Sequence, residues 1–303
     1  LSGLMPHQWK HTTDVNLTGD EYWSSRGTIK LHAGTSFSTA KTFPGLLPFL
    51  PDEGNYDSSQ LQSYLDIETS SDLWSEGVGT DTSTYWVGKD FDHHMRAIQI
   101  GQHLDDTDAI ERSLDALKTR LGGWLTVQDT SYDTTQEEEV FTYWDEFGSL
   151  IGYPAEFYSS DLVNDHAFHY GYFVKAAAEV ARHDADFVEN YGPMVDLLVR
   201  EFANWERPSG DSLSDTTPRD SPRDAFPRFR NFDPYEGHSW AAGAPLGDGN
   251  DQESSSEAMN AHAAVIKWAE LTGNTEMRDM AIAMYTEEMY AIWEYWFDND
   301  DDS

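Results

Sequence analysis

The sequence predicts a mainly α-helical protein, its helices packed as a layer or an α/α barrel behind a short α/β lead. Apolar residues recur at i,i+3 and i,i+4 through most of the chain after residue 90, the period of a helix with one buried face. Several of these segments are rich in alanine, so their axes can approach closely. Strand-like alternation is confined to the N-terminal portion, which gives no support to repeating βαβ units.

Taken in order, GTIKLHAGTSFST (Gly27–Thr39) alternates weakly and is rich in threonine, which suits one or two strands. FPGLLPFLP (Phe43–Pro51) is punctuated by proline and forms no regular helix. FDHHMRAIQIGQHL (Phe91–Leu104) and DAIERSLDALKTRLGGWL (Asp108–Leu125) carry helical spacing, with Gly122-Gly123 an expected stop or kink. VNDHAFHYGYFVKAAAEVARHD (Val163–Asp184) reads as an alanine-rich helix. ADFVENYGPMVDLLVREFANWE (Ala185–Glu206) reads as the next, with a break or fresh start at Gly192-Pro193. The polar run Arg207–Asp224 is an expected exposed loop. ESSSEAMNAHAAVIKWAELTG (Glu253–Gly273) is a helix closed by glycine and capped by an Asp or Asn just upstream, and Thr275–Phe297 is the last helix.

Composition narrows the function. The 303 residues include no cysteine, so disulfides and thiolate chemistry are excluded. Acidic residues outnumber basic ones by 55 to 19, for a net charge of −36, and lysine occurs seven times. No nucleic-acid partner is expected, because phosphate binding needs clustered cations, and an anionic membrane surface is disfavoured for the same reason. The excess is spread along the chain, with short clusters at Gln136–Glu139 and Asp298–Asp302. Such a surface suits a salt-adapted protein, or a merely acidic secreted one. No run of 18 apolar residues could span a membrane, and no signal peptide opens the chain, which begins at Leu1. Aromatic residues make up 14% of the chain, more than a core of this size needs, and rings stack well on sugar faces. The composition says nothing of oligomeric state.

Three polar clusters compete for the chemistry. NDHAFHYGY (Asn164–Tyr172) crowds Asp165, His166, His169, Tyr170 and Tyr172 at a helix start. RFRNFDPYEGHSWAAG (Arg228–Gly243) offers Asp233, Glu236, His238 and Trp240. GNDQESSSEAMNAH (Gly249–His262) sets Glu253 and Glu257 one helical turn apart, on one face, around three small serines. The bland reading of that pair is a solvated acidic helix start, but the alanine-rich continuation implies a packed helix. Asp165, His166 and His169 could share a cation, yet no HExxH or comparable spacing occurs, so no metal and no cofactor is expected. A GxSxG elbow and a glycine-rich phosphate loop are both missing. Several carboxylates beside many rings fit glycoside hydrolysis, which needs one protonated and one ionised carboxyl in unlike environments.

At these clusters the chain resembles glycoside hydrolase family 81, the inverting endo-β-1,3-glucanases. NDHAFHYGYFVKAAA, FDPYEGHSWAAG and NDQESSSEAMNAHAA carry the resemblance, and LMPHQWKH and GTIKLHAGTSF look like that family's segments ahead of its barrel. The resemblance implies a small α/β region at 1–72 and much of a catalytic (α/α)6 barrel at 73–303, ending before further expected helices, with the family's N-terminal β-sandwich lying outside this chain. It also implies secretion and a β-1,3-glucan substrate of the laminarin or curdlan type. By the same resemblance Asp165 is the acid and Glu253 the base, with Glu257 assisting and the next suspect for the base. His169, Tyr170, Tyr172, Asp233, His238 and Trp240 would line the sugar subsites. Ala167 departs from the family's second histidine. Inversion requires the acid and base carboxyls about 6.5–9.5 Å apart, leaving room for a water. Protonated histidines beside Asp165 would depress its pKa, so an acid there requires burial or neutral imidazoles. A glucan-binding but inactive fragment, and a helical-barrel glycosidase for another polymer, share the same residues.

Overall fold

The computed structural model describes residues 1–70, 82–126, 139–206, 221–242, 247 and 249–299. It opens with a three-stranded antiparallel sheet of β1 (Ser2–Leu4), β2 (Leu17–Ser24) and β3 (Gly27–His32), in the order β1-β3-β2. Gly27, at φ +89°, allows the tight return from β2 to β3, a conformation that a Cβ would strain. The short helix α1 (Pro6–Trp9) fastens this sheet to the far end of the chain: Lys10 Nζ lies 2.6 Å from Glu294 Oε1.

Helices dominate the remainder: α2 (Ser58–Thr69), α3 (Thr84–Leu104), α4 (Thr107–Leu125), α5 (His166–His183), α6 (Ala185–Ala203), the short α7 (Pro222–Ala225), α8 (Ser255–Thr272) and α9 (Thr275–Tyr295). Between α4 and α5 lies a hairpin of β4 (Val140–Trp144) and β5 (Ser149–Tyr153), and between α7 and α8 a minimal one of β6 (Phe232–Asp233) and β7 (His238–Ser239). Fully enclosed rings fill the space among α3, α4, β4 and α5. Phe173 lies 5.1 Å from Phe91 and 5.2 Å from Trp124, centroid to centroid, in edge-on geometry. Helix α5 is buried along nearly its whole circumference, and both it and α8 are rich in buried alanine. A Cβ on Gly171 would come within 2.7 Å of Ala261 Cβ, so the two helices meet almost backbone to backbone.

The mainly helical class is as expected, but several boundaries differ. Helix α3 begins at Thr84, capped by Ser83, seven residues ahead of the apolar period that predicts it. Gly122-Gly123 does not stop α4, which runs to Leu125. Pro193 lies inside α6 without breaking it; Gly192 before it has no Cβ to clash with the proline ring. The sequence reading missed α2 and the β4–β5 hairpin. Of the expected loop Arg207–Asp224, residues 207–220 lie outside the described residues, as do 136–138 and 300–302 of the acidic clusters. Among the described residues no helix is long and apolar enough to cross a membrane.

Candidate active site

The approach to α5 is a run of uncommon backbone. Phe157, Tyr158, Val163 and Asp165 all have positive φ, between 53° and 61°, although none is glycine. Such conformations cost about 1–3 kcal/mol each and concentrate where a side chain must be aimed. Asp165 occupies the N-cap position of α5 yet makes no side-chain cap bond. Its N–H donates to Ala241 O at 3.0 Å, and its Oδ2 accepts from Asn164 Nδ2 at 2.8 Å. Its Oδ1 is buried without a partner, and the residue is 7% exposed. A buried carboxyl oxygen that satisfies no structural bond is free for chemistry.

Ala241 joins this residue to the third cluster. While its carbonyl holds Asp165, its own N–H donates to Asp251 O at 2.8 Å. The chain then passes through Glu253, where φ is +36°, to Ser254, the N-cap of α8. This corrects two expectations. Glu253 precedes the helix and does not share a face with Glu257, and the cap is Ser254, whose Oγ accepts from Glu257 N at 3.4 Å. Glu253 is exposed; Glu257, in the first turn, is half-buried. Tyr172 Oη, from α5, donates to Glu257 Oε1, and Lys89 Nζ, from α3, lies 3.1 Å from the same oxygen. Lys89 also lies 2.6 Å from Tyr172 Oη and over the ring of Tyr85.

Three carboxyls thus occupy three environments. Burial, and then the negative charges of Glu253, Glu257 and Asp251, push Asp165 from 3.8 up to about 7. Burial and the charges of Asp251 and Glu257 also raise Glu253. Burial acts upward on Glu257 too, but the donors Tyr172, Ser254 and Lys89 and the lysine charge outweigh it and hold that carboxyl below its usual range. The imidazole that might have depressed Asp165 does not: burial, helped by His166 and Lys89, lowers His169 to about 3 and keeps it neutral. One acid that keeps its proton to neutrality and one anion beside it is the division of labour that acid–base hydrolysis needs.

The expected lining residues separate into different roles. Tyr172 stands in the site through Glu257. Tyr170 does not: it is fully buried, donating to Leu150 O at 2.7 Å and accepting from Gly152 N at 3.0 Å, and so braces β5. His169 is also enclosed, bonded through Nδ1 to Thr84 Oγ1 at 2.8 Å, and backs the ring of Tyr85. His238 is enclosed too, with Nε2 3.1 Å from Arg26 Nη2 and Nδ1 against Ser239 O, so it is corrected to a supporting residue. Asp233 accepts from the N–H groups of Tyr235 and Glu236 and shapes the turn between β6 and β7. Trp240, half-exposed and adjacent to Ala241, presents a ring beside the guanidinium of Arg26. Residues that the sequence reading missed complete the wall. Tyr85 packs against Phe157 at 5.0 Å and Trp86 at 5.1 Å, and Trp86, Phe157 and Tyr158 are exposed. Among the described residues no three His, Asp or Glu side chains are grouped to hold a metal, and both nitrogens of His166 are engaged, by Glu201 and by Ser159 O.

Residues 55–303 match the family model described as the glycosyl hydrolase family 81 C-terminal domain. A glucan endo-1,3-beta-D-glucosidase of Acetivibrio thermocellus is 41% identical over 302 residues, covering 98% of this chain and 36% of that protein. A glucan endo-1,3-beta-D-glucosidase of Thermobifida fusca is 38% identical over 307 residues, covering 100% of this chain and 37% of that one. Among solved structures, a mutant of a glycoside hydrolase family 81 protein from Clostridium thermocellum superposes with a TM-score of 0.86 at 39% identity, covering 99% of this chain and 39% of the other. The chain therefore spans a little over a third of the length of these relatives.

Proposed function

The chain belongs to glycosyl hydrolase family 81, and from that premise we propose that it cleaves internal β-1,3-glucosidic bonds of glucans such as laminarin, with inversion at the anomeric carbon. The observation that carries this reading is Asp165, a buried carboxyl whose Oδ1 meets no partner and which burial and the nearby charge of the exposed Glu253 push up to about 7. Asp165 delivers its proton to the glycosidic oxygen as the C–O bond breaks. Glu253 takes a proton from a water that attacks the anomeric carbon from the opposite face. Glu257, kept ionised by Tyr172, Ser254 and Lys89, orients that water or the sugar and adds its repulsion to the burial and the Glu253 charge that raise Asp165. Trp240 and the rings of Tyr85, Trp86, Phe157 and Tyr158 supply stacking surfaces for successive glucose units.

Secretion, adaptation to high salt and the division of the chain near residue 72 belong to the same proposal. A net charge of −36 supports the second, and a polymeric substrate supports the first. The test is reducing-sugar release from laminarin by the 303-residue chain, run beside a laminarin pull-down. Release supports hydrolysis; binding without release would reduce the chain to a glucan-binding module.

A further inference from the structure

The strained backbone at Glu253 needs something to hold it, and the nearest candidate lies in the core. Glu288, on α9, is fully buried. Its carboxylate accepts from Ser239 N at 3.1 Å, Ser239 Oγ at 2.7 Å, Gln252 Nε2 at 2.6 Å and His262 Nε2 at 2.8 Å. These four donors come from three separate parts of the chain: β7, the approach to α8, and α8 itself. Ser239 is two residues from Ala241, whose N–H and C=O bind Asp251 and Asp165. Gln252 is the neighbour of Glu253 and is itself 6% exposed. One buried side chain thus ties the residue ahead of the base to the segment whose Ala241 carbonyl holds the acid.

We propose that Glu288 is a positioning residue for the reaction, fixing Glu253 against Asp165 through Gln252 and Ser239. The inference rests on the glucanase reading above, but its geometry does not. A left-handed conformation at a non-glycine residue persists only where the surroundings over-determine it. Here the restraints are the Ala241–Asp251 bond on one side, the Ser254 cap on the other, and the Gln252 amide anchored to Glu288 between them. Without the anchor, Glu253 relaxes towards ordinary backbone angles and its carboxylate swings away from the water it must deprotonate. A displacement of about 1 Å at such a group is enough for about a hundredfold loss of rate.

Gln252→Ala removes the arm while leaving the bonds of Glu288 to Ser239 and His262, and Glu288→Gln replaces an acceptor by a donor among donors. For Gln252→Ala the expected result on laminarin is a kcat lower by about 10- to 100-fold, with KM within about twofold and the thermal transition lowered but still a single cooperative step. Backbone hydrogen exchange should accelerate over residues 249–257 and not over α5 or α6. Unchanged turnover, or a loss of turnover matched by a loss of binding and a general acceleration of exchange, would overturn the positioning role. Should the unaltered chain release no sugar, the glucanase reading falls, and exchange confined to residues 249–257 still decides whether Glu288 holds that segment: acceleration there upholds it and no change refutes it. If Glu288→Gln fails to fold, the alanine variant alone decides.

Discussion

Replacing Asp165 by asparagine should stabilise the protein at alkaline pH while abolishing its chemistry. A carboxyl whose pKa is raised on folding keeps its proton longer in the native state. Between the unfolded value of 3.8 and the folded value of about 7 the native state therefore binds more protons, and stability falls as pH rises through that window. Each unit of difference is worth about 1.4 kcal/mol. At about pH 8 the ionised Asp165 thus destabilises the fold by about 4 kcal/mol, whereas at about pH 4, where the native carboxyl keeps its proton, the cost is under about 1 kcal/mol. Asparagine is nearly isosteric, and its amide oxygen can still accept from Asn164 Nδ2, as the carboxyl does at 2.8 Å. The assay is urea unfolding of the natural chain and Asp165→Asn at both pH values. The variant should be the more stable by up to about 4 kcal/mol at the higher pH, with the two converging at the lower. A variant no more stable than the natural chain at about pH 8 would refute the claim that burial and the neighbouring carboxylates disfavour the charge.

Lys89→Met removes a donor and a positive charge that favour the ionised Glu257, leaving Tyr172 and Ser254 to oppose burial alone, so the acidic limb of laminarin hydrolysis should move to higher pH; an unmoved limb would show that an ionised Glu257 is not required. Gly171→Ala puts a methyl 2.7 Å from Ala261 Cβ and should cost about 1–3 kcal/mol by urea unfolding, whereas Gly123→Ala on α4, with open space around it, should be neutral or stabilising. Raising NaCl from about 0.1 to about 2 M should raise the urea midpoint, because screening relieves the self-repulsion of 36 net negative charges; a constant midpoint would remove the salt-adapted reading.

Much of the helical architecture was legible because α5, α8 and α9 carry their apolar residues at helical spacing and end at recognisable signals, such as Gly273 with its φ of +71°. The beginning of α3 was not, because TYWVGKD mixes exposed and buried aromatics with polar residues and hides the period. With it went Tyr85, Trp86 and Lys89, although Ser83 ahead of them is a fair cap signal. Asp165, Glu253 and Glu257 stand out in the sequence as members of polar clusters, but their arrangement does not. Spacing alone puts Glu253 and Glu257 on one helix face, whereas the cap at Ser254 leaves Glu253 ahead of the helix with a left-handed φ of +36°. Tyr170 and His238 show the same limit from the other side. Both lie beside the expected machinery in sequence, and only tertiary burial shows that they brace it from behind.

The proposed proton path from water to Glu253 and from Asp165 to the leaving oxygen is tested most directly by proton NMR of laminarin oligosaccharides during digestion, with Glu253→Gln alongside. The natural chain should release new reducing ends first as the α-anomer, and the glutamine variant, folded as before, should lose about 100-fold or more in kcat. Initial release of the β-anomer, or near-normal turnover by the variant, would contradict the roles given to Asp165 and Glu253.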